Sequence, residues 1–272
     1  MTRNFLEDDV GSVLSGVLRE SDDAVYVVNP ERDTIPELVY CLHDVADPPR
    51  VRLLAAEDLL KEVMGDFIIA GHAADLVDVG TLSIRVLEDR PRGSLVVSES
   101  AVTSVVAAGD SVGGLTATDE AFVTETRETY DHQWAAAEEF GLRTPPLSRV
   151  RETLAVEIDP DAAEDFDAVL DSLDVAKGDG EGLDEVTISL LVAARNGELL
   201  YDISKWGEDV SLASKATFSR TKTRLEDAGL IDTEKVPIDV GRPRLRLRLG
   251  DDRLREADPA ELAELAQERL YD

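Results

Sequence analysis

The chain has 272 residues, 43% of them hydrophobic, and its 58 acidic and 28 basic side chains give a formal net charge of -30 at pH 7. The apolar residues are grouped in periodic runs, which excludes an intrinsically disordered chain despite this charge. A single cysteine, Cys41, excludes an internal disulfide framework and a multi-cysteine metal site.

No stretch approaches the roughly 18 uninterrupted apolar residues of a membrane span. The acidic start, MTRNFLEDDV, lacks the basic and apolar regions of a signal peptide. We therefore expect a protein of the cytoplasm that makes no contact with membranes.

Lysine is scarce among the basic residues, six against 22 arginines. High acidity with little lysine resembles the composition of proteins from salt-loving archaea. At about 1 M salt, repulsion between carboxylates is screened within roughly 3 Å. We expect dilute buffer to destabilise the fold, because the repulsion is then no longer screened.

Helices and strands alternate along the first half of the chain. In order, the apolar patterns predict a helix from residue 5 to about 20, a strand at 24–29, a helix at 35–46, a strand at 51–56, a helix or broken helix at 56–77 and a strand at 82–89. Three short apolar runs bounded by glycines follow, which is typical of a strand meander or hairpin with GDSVGG (109–114) at a turn. This half is predicted to be a layered α/β domain with a mixed sheet.

The segment 119–141 predicts a longer helix that starts with a capping residue and stops at Gly141. Its apolar side chains at helical spacing are Phe122, Tyr130, Trp134, Ala137 and Phe140. Two further helical pieces precede a Gly-rich, charged joint, KGDGEG (177–182). We therefore divide the chain into an α/β domain at 1–141, a helical linker at 142–182, a second domain at 183–250 and a C-terminal helix at 251–272.

The C-terminal half contains three short helices followed by two strands. The helices are predicted in VTISLLVAARNG, which ends at Gly197, in ELLYDISKWGEDV and in SLASKATFSRTKTRLEDAGLI. A strand, a Gly-Arg-Pro turn and a second strand complete the order of a winged helix-turn-helix domain.

The third of these helices has the composition of a DNA recognition helix. With Phe218, Thr221, Leu225 and Ala228 facing the core, the opposite face presents small residues, hydroxyls and arginine. Such a face approaches base edges closely, and flanking cations meet phosphates. The predicted DNA-contacting residues of this helix are Lys215, Ala216, Ser219, Arg220, Lys222, Thr223 and Arg224.

The predicted wing, VGRPRLRLRLG (240–250), adds Arg242, Arg244 and Arg246 to the DNA-binding residues. Side chains alternate along a strand, so its leucines pack inward while its arginines face out. Residues 211–249 contain nine basic and five acidic residues, a local reversal of the chain's charge that is typical of a DNA-binding surface. The alternative is that the arginines only keep an edge strand from pairing with another chain, which leaves the basic third helix unexplained.

The stretch ASKATFSRTKTRLEDAGLIDTEKVPIDVGRPRLRL resembles the haloarchaeal TbsP-type transcriptional regulators, and the resemblance extends over essentially the whole chain. It implies a winged-helix regulator, linked to central carbon metabolism and to the TrmB regulator, that acts on promoters of sugar-pathway genes. It also implies that the N-terminal domain is similar to the phospholipase-D-like effector domains of TrmB-type regulators, on VVAAGDSVGGLTATDEAF followed by HQWAAAEEF. The DNA-binding module is C-terminal here, unlike in TrmB, so no effector-contacting residues are transferred.

No catalytic, cofactor or metal site is predicted. A phospholipase-D site needs a nucleophilic His with a Lys two positions later, and none of His43, His72 and His132 has one. GDSVGG is not followed by the Gly-Lys-Ser/Thr of a phosphate-binding loop. For the histidines, and for Cys41, we expect packing or surface roles.

The expected partners are double-stranded promoter DNA, a second copy of the chain and a sugar-phosphate-like effector. A pocket for the effector is expected at strand ends, around 29–32 and 98–100, unless the first domain only dimerises. The alternative functions are a metabolite-binding protein or enzyme whose winged helix mediates protein contacts, and an oligomeric scaffold.

Overall fold

The computed structural model describes residues 4–21, 23–88, 91, 93–109, 111–173, 175–177, 182–237 and 243–271. Two compact units are present. The first runs to Gly65 and resumes over His72–Arg143. The second holds Asp66–Gly71 and the described residues from Thr144 onward.

The first unit alternates helices and strands, as its apolar runs predict. Its elements are β1 (Phe5–Glu7), α1 (Val10–Arg19), β2 (Val25–Val28), α2 (Thr34–Asp44), β3 (Val51–Ala55), α3 (Glu57–Val63), α4 (Phe67–Asp78), β4 (Leu82–Val86), β5 (Ser94–Val97), β6 (Val102–Ala108), β7 (Ser111–Ala117) and α5 (Glu120–Ala136). The first turn of α4 belongs to the second unit. The predicted broken helix is therefore two helices, α3 and α4.

Strands β1 to β7, as far as the chain is described, form one sheet in the order β1-β7-β6-β5-β2-β3-β4. Strands β2, β3 and β4 are parallel, and the remaining pairs are antiparallel. All four residues of β2 are buried, as expected for a central strand covered on both faces. The prediction of a mixed α/β sheet is confirmed.

Helix α5 covers one face of this sheet. Its Val123 and Tyr130 share a core cluster with Tyr26, Val28 and Val97 of the sheet, while Trp134 packs at the edge of that cluster. The register places Tyr26 beside Arg52 of β3, so the arginine also lies on the face that α5 covers.

The predicted helix from residue 5 is wrong at its start. Residues Phe5–Glu7 pair antiparallel with Val112–Gly114 of β7. The helix begins only at Val10, where the Asp9 side chain accepts a hydrogen bond from the backbone N–H of Ser12 at 2.7 Å and caps it.

Helix α5 ends at Ala136, so the prediction that it continues to Gly141 is also wrong. The chain turns extended and lies along β4: the backbone N–H of Val86 donates to the carbonyl of Glu138 (2.8 Å), and that of Phe140 donates to the carbonyl of Ile84 (3.0 Å). Backbone pairing with a sheet edge outweighs local helix propensity here.

The predicted turn in GDSVGG is correct for Gly109, whose φ is +63°, but Gly113 and Gly114 lie within β7.

The second unit contains the predicted winged helix-turn-helix order. Its elements are α6 (Leu147–Glu157), α7 (Pro160–Asp171), α8 (Glu185–Asn196), α9 (Leu200–Asp209), α10 (Lys215–Asp227), β8 (Ile231–Val236), β9 (Arg244–Leu249), α11 (Asp252–Glu256) and α12 (Pro259–Tyr271). Helix α8 ends at Asn196 and is capped by Gly197, which adopts the left-handed conformation with φ 70°. The predicted fold class is confirmed for both halves of the chain.

One hydrophobic core runs through the second unit. Val150 of α6, Phe166 of α7 and Leu262 of α12 belong to the same buried cluster as Trp206 and Phe218 of the helix-turn-helix. Most of the joint at 177–182 lies outside the described residues.

Candidate nucleic-acid interface

Helix α10 is held on α9 by a tight turn and a close helix crossing. The carbonyl of Gly207 accepts hydrogen bonds from the N–H groups of Leu212 (2.8 Å) and Ala213 (3.2 Å). Ser214 caps the helix, accepting from the N–H of Thr217 at 3.2 Å. Phe218 is fully buried against Gly207, which fixes the rotation of α10 about its axis.

The face of α10 opposite Phe218 is exposed, as the helical period predicts. Ala216, Ser219, Arg220 and Thr223 all lie at the surface. The hydroxyl of Thr223 donates to the carbonyl of Ser219 at 3.1 Å, and a guanidinium nitrogen of Arg220 lies 3.5 Å from the hydroxyl of Thr217. Within the described part of the chain, no carboxylate comes within 4.0 Å of Arg220, so its guanidinium is available to a ligand.

The flanking cations of α10 each face a carboxylate. Lys222 pairs with Glu226 of the same helix at 2.6 Å. Lys215 pairs with Glu208 of α9 at 2.7 Å, and this hydrogen bond raises the pKa of the lysine.

Arg224 has partners on α8. It donates to the hydroxyl of Thr187 (2.9 Å) and lies 3.8 Å from the carboxylate of Asp184. The cations are held in place, but their charge is partly neutralised.

The arginines of β9 share one side of the strand, and each contacts the protein. The Arg244 guanidinium stacks 4.4 Å from the ring centroid of Tyr201 and donates to Asp202 at 3.0 Å. Arg246 donates to the carbonyl of Gly197 at 2.7 Å, and Arg248 lies 3.4 Å from Glu234.

On the other side of β9, Leu247 and Leu249 are buried, whereas Leu245 is only half-buried. Arg242 and the rest of the wing tip, 238–242, lie outside the described residues.

Strand β9 also pairs with the connection between α8 and α9. The N–H of Leu247 donates to the carbonyl of Glu198 at 2.8 Å, and Leu199 forms an isolated antiparallel bridge with Arg246. The two-stranded hairpin is thus extended to a third chain segment, which anchors it to the helices.

The sequence-based charge count missed three carboxylates. Asp184, Asp202 and Glu208 lie before residue 211 in the chain, yet each pairs with a cation of α10 or β9. No local spacing reveals these pairs, because the partners lie on different elements of the fold. The surface is therefore less positive than residues 211–249 suggest.

In the first unit, two of the polar residues expected to form a pocket make hydrogen bonds to the backbone, Asn29 to a distant connection and Ser98 within its own turn. The Asn29 side chain donates to the carbonyl of Pro91 at 3.2 Å, and the Ser98 hydroxyl accepts from the N–H of Ala101 at 3.1 Å. No group of three or more His, Cys, Asp or Glu side chains suited to hold a metal occurs in the part that the structure describes. Nor does any helix there have the length and apolar character required to span a bilayer.

Two family models match the chain. The model for the N-terminal part of TbsP-like transcriptional regulators matches residues 2–145, and that for their C-terminal helix-turn-helix domain matches residues 146–267. A comparison with curated protein sequences finds no match.

Among solved structures, the chain is similar to TrmBL2, described as an archaeal chromatin protein with a novel mode of DNA binding, at 14% identity and TM-score 0.36 over 51% of this chain and 54% of that one. The match thus spans about half the length of TrmBL2. It is also similar to NucT from Helicobacter pylori (9% identity, TM-score 0.35, 52% of this chain and 100% of that one). A third similar structure is the phospholipase D family member Nuc from Salmonella typhimurium, at 8% identity and TM-score 0.36 over 52% of this chain and 99% of that one. The family of the chain is established by the two family models and not by these distant structures.

Proposed function

Because the chain belongs to the family of TbsP-like transcriptional regulators, we propose that it recognises promoter DNA sequence-specifically through α10 and the β8–β9 hairpin. The observation that carries this proposal is the exposed face of α10, where Arg220 stands among small and hydroxyl side chains. A guanidinium on such a face can contact both acceptors of guanine in the major groove.

The remaining site residues divide into two roles. Ala216, Ser219 and Thr223 let the helix approach base edges, while Lys215, Lys222 and Arg224 contact phosphates when these displace their carboxylate partners. In the wing, Arg242, Arg244 and Arg246 contact the backbone or the minor groove.

The target genes, the effector and the oligomeric state are finer parts of the proposal. The resemblance to TbsP-type regulators suggests that the target genes belong to sugar metabolism. We assign DNA reading to residues 183–250, and effector binding and homodimerisation to 1–141 of a protein acting in the cytoplasm. A dimer would place two recognition helices about 34 Å apart on DNA, one helical turn.

The test is selection of bound sequences from random duplexes, followed by fluorescence anisotropy with the enriched site and a scrambled one. We expect Arg220→Gln to weaken binding to the enriched site about 5- to 150-fold, the value of one bidentate base contact, with little change on scrambled DNA. Arg253→Gln is the matched control, because it removes one exposed positive charge of α11 outside the interface.

Equal losses for Arg220→Gln on both duplexes would show that it contacts phosphate and would remove the base-reading role. If no sequence is enriched, α10 does not read DNA, and a role of the winged helix in protein contacts takes the place of this proposal. All affinities are compared at one salt concentration, because each phosphate contact contributes about -0.9 to the slope of log affinity against log salt.

A further inference from the structure

A cleft of about 580 Å³ opens at one corner of the sheet in the first unit. It is lined by β3, by β4, by the end of α4 and the turn that follows it, and by the end of α5 with the extended segment after it. Its lining includes three arginines, Arg50, Arg52 and Arg85, and one glutamate, Glu139. Such a group of arginines is unusual in a chain with twice as many acidic as basic residues.

Two of these arginines are held against Trp134. The guanidinium carbons of Arg85 and Arg52 lie 4.8 and 5.7 Å from its ring centroid. Arg85 also donates to the carbonyl of Trp134, and Arg52 donates to the hydroxyl of Tyr26. Aromatic stacking and fixed hydrogen bonds set the orientation of both guanidinium groups before a ligand arrives.

The positive charge of the cleft exceeds its local compensation. Arg52 pairs with Asp131 at 3.2 Å. Among the described residues, Arg50 and Arg85 have no carboxylate within 4.0 Å, although Glu139 lies in the same lining. Two guanidinium charges are therefore left for an anion.

The rest of the lining is mostly aliphatic and aromatic, with the exposed Ser83 as a further polar residue. Val79 is largely exposed, and Val77 and Phe140 border the same space. Pockets for small metabolites typically measure about 300–1,000 Å³ and combine apolar walls with a few polar groups. The cleft has this size, and its exposed surface is more polar than apolar, which suits a charged ligand.

We propose that this cleft binds a small organic phosphate. A phosphate monoester carries close to two negative charges at neutral pH and accepts paired hydrogen bonds from planar guanidinium groups, which matches Arg50 and Arg85. Its carbon skeleton packs against Val79 and Phe140. That the cleft is the effector site of the regulator rests on the proposed function. The binding itself is measured without DNA.

The experiment titrates the full-length protein with glucose 6-phosphate, glycerol 3-phosphate, inorganic phosphate and glucose at constant ionic strength. Calorimetry gives the affinity, and tryptophan fluorescence locates the event. Trp134 lines the cleft, whereas Trp206 is buried in the second unit and is not part of the lining, so a change in emission is expected from Trp134. We expect an organic phosphate to bind and to change the emission, and glucose to do neither.

Three variants decide whether the cleft is responsible. Arg85→Gln and Arg50→Gln each lower the affinity at least tenfold, whereas Arg19→Gln, which removes a charge from α1, leaves it unchanged. Arg50 is exposed and lies immediately before β3, so its variant keeps the test valid if Arg85→Gln does not fold.

Absence of binding by both organic phosphates, equal binding of glucose or of inorganic phosphate, or equal losses in all three variants would overturn the proposal. No arm contains DNA, so its failure leaves the DNA-binding proposal standing.

Discussion

Gly207 sets the distance between α9 and α10. A Cβ added there would lie 2.3 Å from Cε2 of Phe218, whose ring is fully buried. We expect Gly207→Ala to lower the free energy of unfolding by about 1–3 kcal/mol, the usual cost of overpacking a core. Denaturant unfolding at fixed salt concentration measures it.

Gly141→Ala is the matched control, because a Cβ at Gly141 meets nothing within 4 Å and its φ is not positive. We expect a change of less than about 1 kcal/mol there. Adding Phe218→Leu to Gly207→Ala should recover part of the loss if the ring is the obstacle. Equal effects at the two glycines would contradict the steric explanation.

Glu185 links the stability of the second unit to pH. Burial raises the pKa of its carboxyl, the nearby Asp184 acts in the same direction, and a hydrogen bond from its own backbone N–H opposes both. A carboxyl with a raised pKa in the folded state keeps its proton longer there than in the unfolded chain. Its contribution to stability is therefore present at low pH and lost as pH rises through the folded pKa.

We expect Glu185→Gln to raise the free energy of unfolding relative to the parent at pH 8. The gain should disappear towards pH about 4, near the ordinary carboxyl pKa, where the unfolded chain is also protonated. Unfolding curves of both proteins from pH 4 to 8 measure the difference. A gain independent of pH would show that a cause other than the charge is responsible.

Asp184, the residue that caps the start of α8, stabilises the helix and also lies beside the proposed DNA-binding surface. The Asp184 carboxylate accepts from the N–H of Thr187 at 2.6 Å and lies 3.8 Å from Arg224 of α10. We expect Asp184→Ala to cost about 0.5–2 kcal/mol through loss of the cap.

Asp184→Asn keeps the capping oxygen and removes only the charge, so it should cost less than the alanine variant. It should also bind DNA more tightly, because Arg224 loses its carboxylate partner. Denaturant unfolding and anisotropy on the same samples separate the two effects. Weaker DNA binding by the asparagine variant would show that Asp184 positions Arg224 rather than neutralising it.

Elements were predicted from the sequence where the pattern is local. Strands β2 and β3 are apolar runs, and the helical period correctly places Phe218 inside and Arg220 outside. Strand β1 and the segment after α5 were missed because they are defined by backbone pairing with β7 and β4, which come from distant parts of the chain. The carboxylates facing α10 could not be found from the sequence either, because they also come from other elements of the chain.

Charge acts on the molecule as a whole. With a formal net charge of -30, the folded chain gathers its carboxylates on a small surface, and their repulsion favours the expanded chain. Salt screens this repulsion over about 10 Å at 0.1 M and about 3 Å at 1 M. We therefore expect the melting temperature to rise steeply between 0.1 and 1 M KCl and to level off above it.

The reactivity of Cys41 gives a second, independent measure of how the stability depends on salt concentration. The thiol is 8% exposed, it contacts Gly11 and Ser15, and burial raises its pKa. We expect slow reaction with a disulfide reagent at 2 M KCl and fast reaction in dilute buffer, where opening of the first unit exposes the thiol. Cys41→Ser is the blank, since the chain has one cysteine. A thiol that reacts equally fast at both salt concentrations, with an unchanged melting temperature, would mean that the acidic surface does not limit stability.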